Sequence, residues 1–139
     1  PPSNVTETIK GTKENLECGR QGYCDHESGL CLLNKVSIQS FDLRALREVR
    51  KTALQVKLCL LVESTADPAK EMDALGFPVD IYSPSYELVT PELISWCHFR
   101  QIAVIPWTVN ELDEMQELVD MGVDGLISDY PDRFNLLVY

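Results

Sequence analysis

Residues 56–62 read Val-Lys-Leu-Cys-Leu-Leu-Val, a nearly continuous apolar run with one charge near its start. A short apolar run without strict alternation is typical of a strand that is buried on both faces of a parallel sheet. A second run, Gln-Ile-Ala-Val-Ile-Pro-Trp at residues 101–107, predicts another strand of the same sheet. These runs decide how the segments between them are interpreted.

Helical and extended patterns alternate along the chain. Strands are predicted at residues 36–40, 56–62, 79–82, 101–107 and 125–128. The predicted helices begin after Asp42, at Pro68, at Thr90-Pro91-Glu92 and after Asn110, and Gly76 and Gly122 end two of them. Apolar positions recur at helical spacing in Leu43, Leu46 and Val49, and again in Leu112, Met115, Leu118 and Val119. The alternation predicts an α/β fold made of parallel βα units.

The composition excludes several functions. The 139 residues include 22 acidic and 12 basic side chains, which gives a formal net charge of -10. A nucleic-acid partner is not expected, because a polyphosphate needs clustered Lys and Arg to replace its counterions. Docking on an anionic membrane by charge alone is excluded for the same reason. No apolar run is long enough for a transmembrane segment.

Three cysteines, Cys18, Cys24 and Cys31, fall in a short polar, glycine-containing stretch. The stretch resembles a fragment of an EGF-like module, which would imply an oxidising compartment. A zinc site that adds His26 is a second interpretation, and a surface insertion with loose thiols or one local disulfide is a third. The sequon at Asn4 fits an exported protein, but the localisation stays open.

Two further cysteines, Cys59 and Cys97, lie inside apolar segments. They are predicted to be buried small hydrophobes.

Polar side chains cluster where the predicted strands end. They are Gln39, Ser40, Asp42, Glu63, Ser83, Trp107, Thr108, Asn110, Ser128 and Asp129. In parallel sheets a ligand site lies outside the carboxyl ends of the strands. Helix capping accounts for Asp42 and Thr90, but Gln39 and Trp107 are not at cap positions. The pattern therefore predicts a binding site at this edge.

Three segments together resemble the glycerophosphodiester phosphodiesterase family. They are Val-Ser-Ile-Gln-Ser-Phe-Asp at 36–42, Ile-Pro-Trp-Thr-Val-Asn at 105–110, and Gly-Val-Asp-Gly-Leu-Ile-Ser-Asp-Tyr-Pro-Asp at 122–132. The match covers about residues 35–133 in the family's order. It implies the C-terminal half of a TIM (βα)8 barrel. Residues 35–139 are therefore predicted to form βα units of that domain, and residues 1–34 a polar, Cys-containing segment with a candidate barrel strand near 4–11.

The resemblance implies roles for five residues. Gln39 and Phe41 match strand-end positions that face the pocket, and Trp107 matches the aromatic side chain that packs on the glycerol carbons. Residues 4–11 resemble a strand that ends in Glu-x-Lys, which would make Glu7 a metal ligand and Lys10 a catalytic phosphate contact. Two residues separate Glu7 from Lys10 where the family has one, so both could also be solvated charges at a strand end.

The family hydrolyses glycerophosphodiesters to glycerol 3-phosphate and an alcohol, in lipid and glycerol metabolism, with a divalent metal such as Ca²⁺ or Mg²⁺. Its two proton-transferring histidines and two further metal carboxylates come from the first barrel half, and neither His26 nor His98 has a matching context. We therefore expect this chain alone to be inactive. We also expect it to expose an apolar sheet face and to need its missing half or a second copy.

The alternative is a non-catalytic, degenerate half barrel that acts as a secreted binding or interaction protein. A relationship to phospholipase-D-type toxins of the same barrel is a third and weaker interpretation.

Overall fold

The computed structural model describes residues 23–25, 30–32, 37–52 and 56–139. Strands β1 (Tyr23–Asp25) and β2 (Leu30–Leu32) form an antiparallel pair of their own. The main sheet contains β3 (Ser37–Ser40), β4 (Lys57–Val62), β5 (Ile81–Pro84) and β6 (Ala103–Val104). These four strands are parallel and lie side by side in chain order.

Four helices alternate with the strands of the main sheet. They are α1 (Leu43–Thr52), α2 (Pro68–Leu75), α3 (Pro91–Phe99) and α4 (Leu112–Met121). Two 3₁₀ turns, Tyr86–Leu88 and Pro131–Leu136, follow β5 and the last extended segment. The predicted α/β fold with parallel βα units is confirmed. None of the described helices is long and apolar enough to cross a membrane.

The strand register separates the two faces of the sheet. Gln39, Cys59, Ile81 and Ala103 stand opposite one another across the four strands, so their side chains share one face. The alternate residues point to the helices, where they form the core with helix side chains. This core includes Leu58, Leu60, Val62, Tyr82, Val104, Leu46, Leu75, Leu93, Ile94, Cys97, Met115 and Leu118. The predicted apolar positions of α1 and α4 all pack here.

The helix ends follow the predicted chemistry at most positions. Asp42 Oδ1 accepts the backbone N–H of Arg44 (2.8 Å) at the start of α1. Thr90 Oγ1 accepts the N–H of Leu93 (3.1 Å) ahead of α3. Gly76 and Gly122 end α2 and α4 with φ of 87° and 96°, a left-handed conformation that side chains with a Cβ rarely adopt. These predictions are confirmed.

Three predicted strands differ in extent from the structure. Residues 79–82 were expected to be extended, and the observed strand is Ile81–Pro84. The expected strand at 101–107 is regular only at Ala103–Val104, although Trp107 forms an isolated bridge with Ser85. Residues 125–128 are not a regular strand, yet the Ile127 N–H donates to the carbonyl of Pro106 (2.9 Å). Pro106 accounts for the interrupted pairing between the last two segments, because proline has no N–H to donate to the ladder.

An aspartate ties β5 to β4 at the start of β5. Asp80 Oδ2 accepts the N–H of Leu58 (2.8 Å), and the N–H of Asp80 donates to the carbonyl of Leu58 (3.1 Å). Arg50, from the helix before β4, donates to the same carboxylate at 3.0 Å. One side chain thus connects two strands and a helix.

The same arrangement recurs two strands later along the chain. Asp124 Oδ2 accepts the N–H of Val104 (2.7 Å), and the N–H of Asp124 donates to the carbonyl of Val104 (2.9 Å). His98, from the helix before β6, places Nε2 at 2.8 Å from the same carboxylate oxygen. We call these two sets the Asp80 clamp and the Asp124 clamp. The position of His98 agrees with its interpretation as a packing or surface residue.

Part of the cysteine-containing segment lies in the described strands. Cys24 stands opposite Cys31 in the β1–β2 ladder. Cys18 and His26 lie outside the described residues, as do Glu7 and Lys10. The disulfide, zinc and domain-boundary interpretations stay predictions.

Removal of the Asp124 carboxylate should destabilise the fold. Asp124→Ala leaves the N–H of fully buried Val104 without its acceptor, so the free energy of unfolding should fall by about 1–3 kcal/mol in urea titrations. Asp124→Asn keeps an acceptor oxygen and should lose less. Asp73→Ala, on an exposed position of α2, is the matched control and should stay within about 0.5 kcal/mol of wild type. Equal stabilities for Asp124→Ala and the control would contradict the assignment.

Cys59 and Cys97 should resist alkylation in the native state. Both are buried and free, as predicted, and burial raises the pKa of Cys59 to about 11 and that of Cys97 to about 12. Since the thiolate is the reacting form, iodoacetamide at pH 8 should label both far more slowly in the native protein than in urea. Peptide mass spectrometry measures both rates. Native labelling as fast as in urea would show that these thiols are accessible.

Candidate active site

Three of the predicted site residues, Gln39, Phe41 and Trp107, belong to the part of the chain that the structure describes, and they lie at the carboxyl edge of the sheet. Gln39 is the third residue of β3, and its register with Cys59 places its side chain on the face away from the helices. Phe41 follows the same strand with 55% of its surface exposed. Trp107 follows β6 and is half-buried. The structure therefore places all three at one end of the parallel strands, where ligand sites of such sheets occur.

Phe41 and Trp107 contact each other across the width of the sheet. Their ring centroids are 5.6 Å apart and the rings stand at 85°, an edge-to-face arrangement. Phe41 follows β3 and Trp107 follows β6, which are the first and last of the four strands, so the pair passes over the ends of the two strands between them. An exposed aromatic surface is thereby held above the carboxyl edge.

Trp107 is fixed from the side of β5. Its indole Nε1 donates to the carbonyl of Ser83 (2.8 Å), and its backbone N–H donates to the carbonyl of Pro84 (3.1 Å). The N–H of Tyr86 donates to the carbonyl of Trp107 (2.9 Å). Ser83 is itself fully buried, and its hydroxyl donates to the carbonyl of Ile105. The indole plane is therefore set by backbone geometry, which the residue pattern does not show.

Asn110 does not have the predicted role of a helix cap. Helix α4 begins after Glu111, and the side chain of Asn110 turns toward the segment after residue 127. Its Oδ1 accepts from the N–H of Asp129 and from Ser128 Oγ, both at 3.1 Å, and its Nδ2 donates to Asp129 Oδ2 (3.0 Å). Asn110 instead links the ends of two neighbouring extended segments. The clue in the sequence was that polar residues end both segments.

Other charged groups at this edge are solvent-exposed. Glu63 directly follows β4, and Asp129 follows the last extended segment. Hydrogen bonds from the side chain and the backbone N–H of Arg44 lower the pKa of Asp42 to about 2, so Asp42 is ionised at neutral pH and caps α1. Within the described ranges no group of three or more His, Cys, Asp or Glu side chains could hold a metal ion.

A groove on another part of the molecule lies between α2 and α3. It has a volume of about 710 Å³ and is lined by residues that include Met72, Phe77, Trp96 and Arg100. The guanidinium of Arg100 stacks 3.8 Å from the centroid of Trp96. This groove lies in the helical layer on one side of the sheet, whereas the side chain of Gln39 lies on the other side.

The Glycerophosphoryl diester phosphodiesterase family model matches residues 26–133. The glycerophosphodiester phosphodiesterase of Caldanaerobacter subterraneus subsp. tengcongensis is 34% identical over 104 residues, which are 75% of this chain and 42% of that protein. Its counterpart from Bacillus altitudinis is 30% identical over 104 residues, 72% of this chain and 41% of that protein. The chain thus spans about two fifths of the length of these relatives.

Solved structures show the same fold. A glycerophosphodiester phosphodiesterase from Parabacteroides distasonis superimposes with a TM-score of 0.63 at 23% identity, covering 73% of this chain and 42% of that one. An Oleispira antarctica phosphodiesterase, solved with sn-glycerol-3-phosphate, has a TM-score of 0.62 at 17% identity and covers 70% and 39%. These proteins are TIM barrels, and the parallel βα units described above correspond to part of one. By its sequence match, the chain belongs to the glycerophosphoryl diester phosphodiesterase family.

Proposed function

We propose that this chain contributes to an active site that hydrolyses glycerophosphodiesters to glycerol 3-phosphate and an alcohol. The contact between Phe41 and Trp107 above the carboxyl edge is the observation that carries the proposal. Membership of the family supports it, because the contacting residues belong to the segments that carry the resemblance. Gln39, on the face of the sheet away from the helices, adds a polar group at the same edge.

The three residues suit different parts of the substrate. The exposed aromatic surface of Phe41 and Trp107 offers an apolar wall on which glycerol carbons can pack. The Gln39 amide can donate a hydrogen bond to a phosphate or hydroxyl oxygen. In the reaction, a water oxygen bonds to phosphorus, the bond from phosphorus to the alcohol oxygen breaks, and the departing oxygen takes a proton.

Charge neutralisation is assigned to residues outside the described ranges. A phosphodiester anion repels nucleophiles, and a metal ion and a lysine near the phosphate would lower that barrier. The resemblance implies Glu7 as a metal ligand for Ca²⁺ or Mg²⁺ and Lys10 as the phosphate contact. The described residues do not form a metal site by themselves. We therefore assign the described site residues, Gln39, Phe41 and Trp107, to substrate positioning.

The sheet face that carries Gln39 supports the proposal of a larger barrel. Leu61, Ile81, Ala103 and Ile105 are apolar, half-buried and outside the core on the helix side. In a closed barrel such a face is covered by side chains of the other strands. We infer that further strands cover it in the active enzyme and supply the proton-transferring histidines.

Loss of the Trp107 ring should weaken substrate binding. In the full-length protein, Trp107→Ala should raise KM for glycerophosphocholine about 10- to 100-fold, since a buried aromatic contact is worth about 1.5–3 kcal/mol. Glycerol 3-phosphate release in Ca²⁺ or Mg²⁺ measures the effect. Trp96→Ala is the matched control, because Trp96 lines the groove between α2 and α3.

Two results would contradict the proposal. One is a wild-type protein that releases no glycerol 3-phosphate with either metal, and binding without hydrolysis would then favour the non-catalytic alternative. The other is a KM for Trp107→Ala that matches that of the Trp96→Ala control.

The assignment of Glu7 can be tested separately. Glu7→Gln keeps the size of the side chain but removes the charge that a divalent cation needs, so metal-dependent activity of the full-length protein should be lost. Titration of activity against Ca²⁺ and Mg²⁺ measures this, with Glu14→Gln as a nearby control. Unchanged metal dependence in Glu7→Gln would show that Glu7 is not a ligand.

A further inference from the structure

We propose that Asn110 is a positioning residue of the active site. It bonds the 128–133 turn to the segment that carries Trp107 and so fixes the position of Trp107 in the apolar wall of the site. The inference rests on the proposed function, because Trp107 is assigned to the substrate there. It concerns a residue that the sequence placed among the polar strand ends and predicted to be a helix cap.

The side chain of Asn110 forms a closed set of contacts. Its carbonyl oxygen accepts from the Asp129 N–H and from the Ser128 hydroxyl, and its amide donates to the Asp129 carboxylate. Both ends of the amide are therefore engaged by two consecutive residues. A primary amide meets this demand because it carries a donor and an acceptor, whereas a carboxylate would offer acceptors alone.

The backbone of Asn110 holds the far end of the same turn. The Arg133 guanidinium donates to the Asn110 carbonyl, and it also stacks 4.4 Å from the ring centroid of Tyr130. The N–H of Tyr130 donates to Ser128 Oγ (3.0 Å), which is the hydroxyl that Asn110 engages. The turn is thus attached to Asn110 at both of its ends.

These contacts complete the support of Trp107. On the side of β5, the indole and backbone of Trp107 bond to Ser83, Pro84 and Tyr86, as described above. On the other side, the N–H of fully buried Val109 donates to the carbonyl of Ile127 (2.9 Å). The next residue, Asn110, continues this link between the two segments with its side-chain hydrogen bonds. Loss of the Asn110 side chain would leave this second side held by backbone hydrogen bonds and by the contact of Arg133 with the Asn110 carbonyl. A wall that packs on substrate carbons depends on such fixed placement.

The kinetic test compares Asn110→Ala with Gln116→Ala in the full-length protein. Gln116 is a matched control, because its amide also fastens a remote backbone segment, with bonds of 2.9 and 3.0 Å to Val138. We expect Asn110→Ala to raise KM for glycerophosphocholine about three- to tenfold with kcat changed less, as loss of a few hydrogen bonds predicts. Gln116→Ala should leave KM near the wild-type value.

A second readout does not depend on activity. With 5-fluorotryptophan incorporated, the ¹⁹F resonance of Trp107 is identified by its disappearance in Trp107→Phe. This resonance should shift or broaden in Asn110→Ala and stay in place in Gln116→Ala.

The conservative variant Asn110→Asp adds a pH dependence. It places a second carboxylate against Asp129, near Glu111 and Arg133, so repulsion should displace Trp107 at pH 8 and weaken at pH 5, where the pair can share a proton. The KM of Asn110→Asp divided by the wild-type KM should therefore be lower at pH 5 than at pH 8.

The outcomes separate this inference from the proposed function. An inactive wild-type protein would refute the proposed function, and the Trp107 resonance would then decide the role of Asn110 alone. An unchanged Trp107 resonance in Asn110→Ala overturns the positioning role whatever the activity is. So does a rise in KM that Gln116→Ala matches.

Discussion

The parallel register of the four-stranded sheet is the constraint on which the rest of the structure depends. A shift by one residue would turn Gln39 toward the helices and Ile38 away from them, since successive side chains of a strand point to opposite faces. The Asp80 clamp holds β5 in register with β4, and the Asp124 clamp holds the segment after α4 in register with β6, each by a reciprocal pair of hydrogen bonds to one residue of the neighbouring strand. The same device therefore recurs two strands later along the chain.

The two ends of the sheet carry different kinds of contact. Where strands begin, Arg50 and His98 pair with the clamp carboxylates and connect helices to strands. At the carboxyl ends, the polar and aromatic residues contact one another across the strands: Phe41 with Trp107, and Asn110 with Ser128 and Asp129. Stabilising contacts of the clamp carboxylates at one end and an exposed aromatic surface at the other fit the division between stability and chemistry in parallel α/β enzymes. This division connects the fold to the proposed hydrolysis.

The two faces of the sheet differ in how their large apolar side chains are covered. Tyr82 is fully buried among the helices and donates its hydroxyl to Glu71 of α2, whose pKa is raised by desolvation. On the opposite face, Leu61, Ile81 and Ile105 remain half-buried. The helix-side residues thus form a buried core, whereas the other face presents the kind of surface that a barrel interior contains. The proposed active site lies where this face meets the carboxyl edge.

Local chemistry by itself determined the element order, the capping of α1 and α3, the glycine ends of α2 and α4, and the burial of Cys59 and Cys97, because each depends on residue type and short-range spacing. It also placed Gln39 and Trp107 at one edge, because the carboxyl ends of parallel strands meet there, whereas Phe41 was implied only by the family resemblance. The tertiary structure alone decided the strand limits near the prolines and the partner of the Trp107 indole. It also replaced the expected helix cap at Asn110 with a link to Ser128 and Asp129. These features depend on hydrogen bonds between segments 18 to 24 residues apart. Residue spacing along the chain does not predict which backbone groups will form such bonds.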